Sequence, residues 1–168
     1  VAKAIASSSA RDVRRGRRPH QGWKPAVADR VLDSDAVPGY LARVREIINT
    51  LSAPSSPLYS QAVKAGQHVY VAGLVGIDVS TGNLAGSTIQ EQTRQALTNC
   101  EAILHAAGAT LDDVVEVGVL LTNPTDFAGM NQEYATWFPA EPPTRYVAKL
   151  GVEIPNLLVS IRMTAFVG

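Results

Sequence analysis

The sequence predicts an α+β domain over residues 51–168, preceded by a basic extension over residues 1–50. The fold class rests on hydrophobic periodicity. From Leu58 onward the apolar residues switch between the two-residue period of a strand and the 3.6-residue period of a helix, in the order strand, strand, helix, strand, helix, strand, strand. The division of the chain rests on charge. Residues 1–50 hold ten Lys or Arg against five Asp or Glu, and residues 51–168 hold five against ten, so a net of zero is the sum of a +5 arm and a −5 body. At 46% hydrophobic over 168 residues, the chain has the composition and length for about one buried core.

The extension begins at Val1, which points to a mature or truncated chain, and its first 24 residues contain one acid, Asp12. Arg11, Arg14, Arg15, Arg17 and Arg18 lie within eight residues, among Ser and Ala, a composition like that of an organellar transit segment. A mitochondrial or other organellar address is expected, with the cytoplasm as the alternative. So polar an arm needs an external partner to become ordered, such as its own oligomer or a larger assembly. Residues 36–49 read as a short helix, with Pro38 in the first turn and Leu41, Val44 and Ile48 as its stripe. Ser52–Pro57 reads as an extended lead-in.

In the body, Leu58–Lys64 and His68–Gly73 read as strands joined by a turn at Ala65-Gly66-Gln67. Asp78–Asn83 is a turn in which Gly82 is free to take positive φ. Thr88-x-x-Glu91 is a capping box. The helix it opens should bury Ile89, Thr93, Ala96, Leu97, Cys100, Ile103 and Leu104, and stop at Gly108. Val114–Leu121 is β-rich, Asp126–Phe138 is a second helix with the stripe Phe127, Met130, Tyr134, Phe138, and Arg145–Leu150 and Leu158–Val167 complete the sheet. Along the last strand, Val159, Ile161, Met163 and Ala165 share one face, and Ser160, Arg162 and Thr164 the other.

Several chemistries find no support. There is no nucleotide-binding glycine loop and no Gly-x-Ser-x-Gly elbow. One cysteine, Cys100, and three scattered histidines, His20, His68 and His105, provide no metal-ligand spacing, so no structural metal is expected. No stretch is long and apolar enough for a membrane helix. Nucleic acid is an unlikely partner, because no aromatic or Gly-rich spacing accompanies the arginines and the body is acidic. The body's few cations are informative. Arg94 is expected on a solvated helix face, and Arg162 on a solvated face or at a subunit contact. Arg145 follows Pro142-Pro143-Thr144, which stiffens its approach. Its planar fork suits a carboxylate, although spacing alone favours a structural ion pair.

Residues 57–167 resemble the RidA family, also called YjgF or L-PSP, the enamine/imine deaminases. The resemblance is carried by Pro57-Leu-Tyr-Ser-Gln-Ala-Val-Lys-Ala-Gly66, Val69-Tyr-Val-Ala-Gly73, Asp78-Val-Ser-Thr-Gly-Asn-Leu84, Gln92-Thr-Arg-Gln-Ala-Leu-Thr-Asn99, Ala106–Val115, Asp126–Tyr134 and Pro143-Thr-Arg145. It implies a chorismate-mutase-like mixed sheet with two helices on one face, and a homotrimer whose sheets form a central barrel with clefts between subunits. It also implies hydrolysis of 2-enamino or 2-imino acids of the 2-aminoacrylate type to 2-keto acids and ammonia, without a cofactor. By the same resemblance Arg145 binds the substrate carboxylate, Tyr59 lines the cleft, and Gly73 lets backbone approach the ligand. Asn131 and Tyr134 stand near the site on the second helix, and Val147 replaces a cysteine two residues after the arginine.

The departures concern turnover. Where the family's last strand reads Glu-Ile-Glu, this chain has Ser160-Ile161-Arg162, and Ala72 replaces a serine before the cleft glycine. Ser160 can hydrogen-bond the attacking water but cannot serve as a carboxylate base. The first expectation is a deaminase with Arg145 and Ser160 as its catalytic residues, with ligand binding better supported than turnover and a rate well below that of typical deaminases. The alternative is a catalytically weak or inactive trimer acting as an accessory subunit, its arm joining a larger assembly. A ribonuclease role, ascribed to some family members, ranks third because the body carries few cations.

Overall fold

The computed structural model describes residues 45–168. The Arg-rich arm and the first nine residues of the expected helix at 36–49 lie outside that range. Its last part is not helical: Glu46–Ile48 is a strand, β1. The stripe expected over 36–49 includes Ile48, which is buried, but by pairing with the next strand rather than by docking a helix. Here β-sheet hydrogen bonding overrides a weak local period.

After a looped segment come β2 (Ala62–Ala65) and β3 (His68–Val71), an antiparallel hairpin whose turn holds Gly66 at φ 59°. The first body strand is thus shorter than its apolar run, and Leu58 and Tyr59 remain exposed before it. Gln61, which is buried, explains the ordered approach. Its side-chain amide donates to the carbonyls of Thr50, Ala53 and Pro54, and its oxygen accepts from the Thr50 N–H. Short strands β4 (Leu74–Val75), β5 (Ile77–Asp78) and β6 (Asn83–Leu84) follow; β5 and β6 form a separate two-stranded ribbon.

Helix α1 (Ile89–Ala106) begins on the expected box: the Glu91 N–H donates to the Thr88 hydroxyl, and the Glu91 carboxylate accepts from the Thr88 N–H. Every residue expected on its apolar face is buried. Gly108, at φ 77°, ends it. Then come β7 (Val114–Leu121), α2 (Phe127–Tyr134), β8 (Thr144–Lys149) and β9 (Val159–Phe166). Helix α2 is shorter than its stripe suggested, and Phe127, expected inside, is 46% exposed.

The sheet runs β1-β2-β3-β9-β7-β8, with β4 also paired to β9. Its pairs are antiparallel except β7–β8, which are parallel and joined across α2. This is the expected α+β architecture, a mixed sheet with two helices. On the helix side Val117, Val119, Val159, Ile161, Met163 and Ala165 are wholly inaccessible, under Leu97, Cys100, Ile103 and Leu104 of α1. Burying such side chains stabilises the fold by roughly 1.5–3 kcal/mol each. Burial also pushes the Cys100 thiol up, so it stays protonated and unreactive, as expected of a core cysteine.

Two buried amides of α1 extend this packing to the loops. The Gln92 amide donates to the carbonyls of Gly86 and Asn156, and its oxygen accepts from the Leu158 N–H. The Asn99 amide donates to the carbonyls of Val75 and Ile77. No helix among the described residues is long and apolar enough to cross a membrane.

Candidate functional site

Strand pairing decides which candidate side chains can meet. Directly opposed residues on neighbouring strands point to the same face of a sheet. Arg145 is paired with Val117, and Val117 with Met163, so Arg145 points to the helix side. There its guanidinium carbon stands 4.5 Å above the centre of the Tyr134 ring, and Nη1 lies 4.0 Å from the Met130 sulfur. The cation over the ring face and the soft sulfur beside it hold the fork by packing. The ion pair that spacing favoured is not formed with any described residue, since the salt bridge recorded among them joins Arg94 to Glu133.

Tyr134 is shaped by this arrangement. It is 7% exposed, its ring meets that of Phe138 at 4.8 Å between centres and tilted by 34°, and its hydroxyl is buried with no hydrogen-bond partner among the described residues. Burial raises its pKa, and the charge of Arg145 opposes that rise. Val147 shares Arg145's face two residues along β8 and helps line an edge cleft of about 340 Å³ with Leu121, Pro124 and Phe127. Asn131 is half-buried on α2, one turn before Tyr134.

Helix α2 is fastened from behind. Arg94 projects from α1 and donates from Nε (2.9 Å) and Nη2 (2.5 Å) to the two oxygens of Glu133, which is buried, and Trp137 donates to the same carboxylate at 3.2 Å. Arg94 is exposed, as expected, but it is a clamp rather than an idle surface charge.

Ser160 falls on the other side. It pairs with Leu120 and with Val75, and so faces away from the helices. A Cβ placed on Gly73 would stand 3.1 Å from the Ser160 hydroxyl, so the glycine's missing side chain leaves space directly above that oxygen. Tyr59 is 57% exposed in the loop before β2, bridged to Ser56. One chain therefore assembles two groupings. Arg145, Tyr134 and Val147 lie at the edge strand on the helix side. Gly73 and Ser160 lie together on the open side, separated from β8 by the width of β7, about 10 Å for two strand spacings.

The sequence reasoning missed Met130 as a support for Arg145, reading it only as core. It also missed Gly118, over which the ring of Tyr146 lies where any Cβ would collide. A glycine inside a Val-rich strand was the available signal for such a close approach. No group of three or more His, Cys, Asp or Glu side chains converges among the described residues.

The family profile "Endoribonuclease L-PSP" matches residues 50–167. The chain belongs to the RidA/YjgF/L-PSP family. A RutC family protein of Pyrococcus horikoshii is 41% identical over 125 residues, covering 73% of this chain and 98% of its own length. The 2-iminobutanoate/2-iminopropanoate deaminase of Mus musculus is 40% identical over 103 residues, covering 61% of this chain and 76% of its own length. Among solved structures of RidA-family proteins, E. coli TdcF with bound serine superposes with a TM-score of 0.69 at 30% identity, over 73% of this chain and 99% of that one.

Proposed function

We propose that this chain hydrolyses reactive 2-enamino and 2-imino acids to 2-keto acids and ammonia. The observation that carries the reading is Arg145: a guanidinium fixed over the Tyr134 ring at 4.5 Å, with its fork unspent on any described acid. A fork held in that way meets a substrate carboxylate bidentately without the entropy loss of immobilising a loose side chain. A RidA-family relative solved with serine, itself an amino acid with a carboxylate, supports that ligand class. Once the enamine has taken a proton on carbon, the substrate is an iminium. Water adds to the imine carbon, one proton of the added water moves to nitrogen, the C–N bond breaks as the remaining hydroxyl gives its proton to the departing ammonia, and a 2-keto acid and ammonium leave.

Ser160 is the group we assign to orienting that water, with Gly73 providing the space above its hydroxyl. Since Arg145 and Ser160 face opposite sides of one sheet, the reading requires that a second copy complete the site. The homotrimer with clefts between subunits, implied by the family resemblance, satisfies this requirement, and Tyr59, Asn131 and Val147 would line the same cleft. A serine is a weaker aid than a carboxylate, so slow turnover is expected. The Arg- and Ser-rich extension supports an organellar address.

The test is ammonia release from freshly generated 2-aminoacrylate. The wild-type chain should accelerate it, and Arg145→Ala should remove the acceleration. Pyruvate should raise the melting temperature of the wild type and not of Arg145→Lys, which keeps the charge but lacks the fork. Equal acceleration by wild type and Arg145→Ala would overturn the assignment.

A further inference from the structure

The fork of Arg145 is placed by one short element. Among the described residues, the partners of its side chain are the Tyr134 ring and the Met130 sulfur, one turn apart on α2. A cation is attracted to a ring only while it stays within about 6 Å of the ring centre, so the pose of Arg145 is as firm as the helix beneath it. By itself that helix is weak: it has eight residues, and no described side chain caps its N-terminus. Its position comes from α1, at two points. Near its start, Gly129 lies so close to Ile89 that a Cβ would stand 2.6 Å from the isoleucine Cγ2. Near its end, the buried Glu133 receives Nε and Nη2 of Arg94 on its two oxygens, and Trp137 donates to the first of these. A fork on a carboxylate fixes direction as well as distance. Glu133 immediately precedes Tyr134, so a turn of α2 that frees the carboxylate also swings the ring beneath Arg145.

We propose that Glu133 is a positioning residue for substrate binding: held by Arg94 and Trp137, it sets the depth and rotation of α2, and Tyr134 and Met130 pass that setting to the Arg145 fork. This role rests on the reading of Arg145 as the ligand of the substrate carboxylate. Arg94 keeps 58% of its side chain in water, so the pair adds little net stability and acts by alignment. The substrate carboxylate is unchanged through hydrolysis, so a loosened fork weakens the ground state and the transition state alike. That raises KM and leaves kcat.

Glu133→Gln keeps the size of the side chain and an acceptor for Trp137, and it strands no buried charge, so it is expected to fold. With freshly generated 2-aminoacrylate its KM should rise about tenfold, the scale of a lost charged hydrogen bond, with kcat within about threefold of the wild type. Pyruvate, titrated calorimetrically, should bind about tenfold more weakly. Arg94→Lys, which keeps the charge without the fork, should fall between. Ile103→Val, a core change toward the other end of α1, should lower the melting temperature and leave KM unchanged. The role is refuted if Glu133→Gln matches the wild type in KM and pyruvate affinity while Arg145→Ala is inactive. It is equally refuted if kcat falls in place of the rise in KM, or if Ile103→Val raises KM in step with its lost melting temperature as Glu133→Gln does. A wild type that neither binds pyruvate nor releases ammonia overturns the reading of Arg145, and this role with it.

Discussion

The two faces of this sheet are built from the same strands and have opposite characters. On β9, Val159, Ile161, Met163 and Ala165 are sealed under α1, while at the alternate positions Ser160 is half-buried, Arg162 and Phe166 are exposed, and Thr164 is buried. The helix face is closed by apolar packing and by amides whose hydrogen bonds are all made. On the other face Tyr70 (45%), Tyr146 (42%) and Phe166 (40%) remain exposed, and polar side chains remain unpaired with described residues. A single alternation of residues thus separates stability from chemistry. Substitutions on the first face should act on folding, and those on the second mainly on binding. The helix side of the sheet does admit polar groups at its margins: Lys64 reaches the Ala107 carbonyl at 3.1 Å, and Arg145 sits on the edge strand against an aromatic ring.

The sharpest test compares neighbours on β9. Met163→Ala should cost ~3 kcal/mol of unfolding free energy, as removal of a sealed side chain does, whereas Phe166→Ala should cost under about 1 kcal/mol. Urea denaturation measures both, and equal losses would show that the open face is covered in the folded protein as completely as the helix face. A covered open face would itself point to association between copies.

A somewhat smaller effect should follow from Gln92→Leu. The change keeps the apolar bulk but strands the carbonyls of Gly86 and Asn156 and the N–H of Leu158, at ~2–3 kcal/mol in all. Hydrogen exchange should show the loss concentrated at residues 86 and 156–158. Uniform loosening would mean that Gln92 acts through helix packing instead.

The smallest effect concerns pH. Hydrogen bonds from the side chain and backbone of Ser80 hold Asp78 below its ordinary value of 3.8, and those from Thr88 hold Glu91 below 4.5. A carboxyl whose folded pKa is depressed contributes stability above its unfolded value and loses it as pH falls through the folded one. Stability should therefore decline as pH drops below about 4.5, and Glu91→Gln should flatten that decline while keeping the helix start, because Gln also serves in a capping box.

Much of the fold was legible because it is written locally. The box at Thr88 and Glu91, the seven-residue stripe of α1, the stop at Gly108 and the alternation in β7 and β9 each depend on residues a few positions apart. The errors fell where distant partners decide. Glu46–Ile48 has a helical period but finds a free strand edge at β2. Phe127 has a stripe position, but as the first residue of α2 it lies at the helix's open end and stays exposed. Arg94 reads as a surface charge until Glu133, 39 residues later, lies opposite it.

The candidate site divides in the same way. The sequence by itself determined the family, the residue types and the loss of the acid at position 160, because motifs and substitutions are properties of the chain. It also determined which residues of each strand share a face, since successive side chains alternate by geometry. Only the tertiary structure decided which strand lies beside which, and therefore that Arg145 points toward the helices while Ser160 and Arg162 point away. Register is fixed by long-range pairing among β7, β8 and β9, where a shift of one residue reverses every side chain. Tyr146 reaches the neighbourhood of Arg162 by the same cause: the pairing of β7 with both β8 and β9 sets a glycine between them.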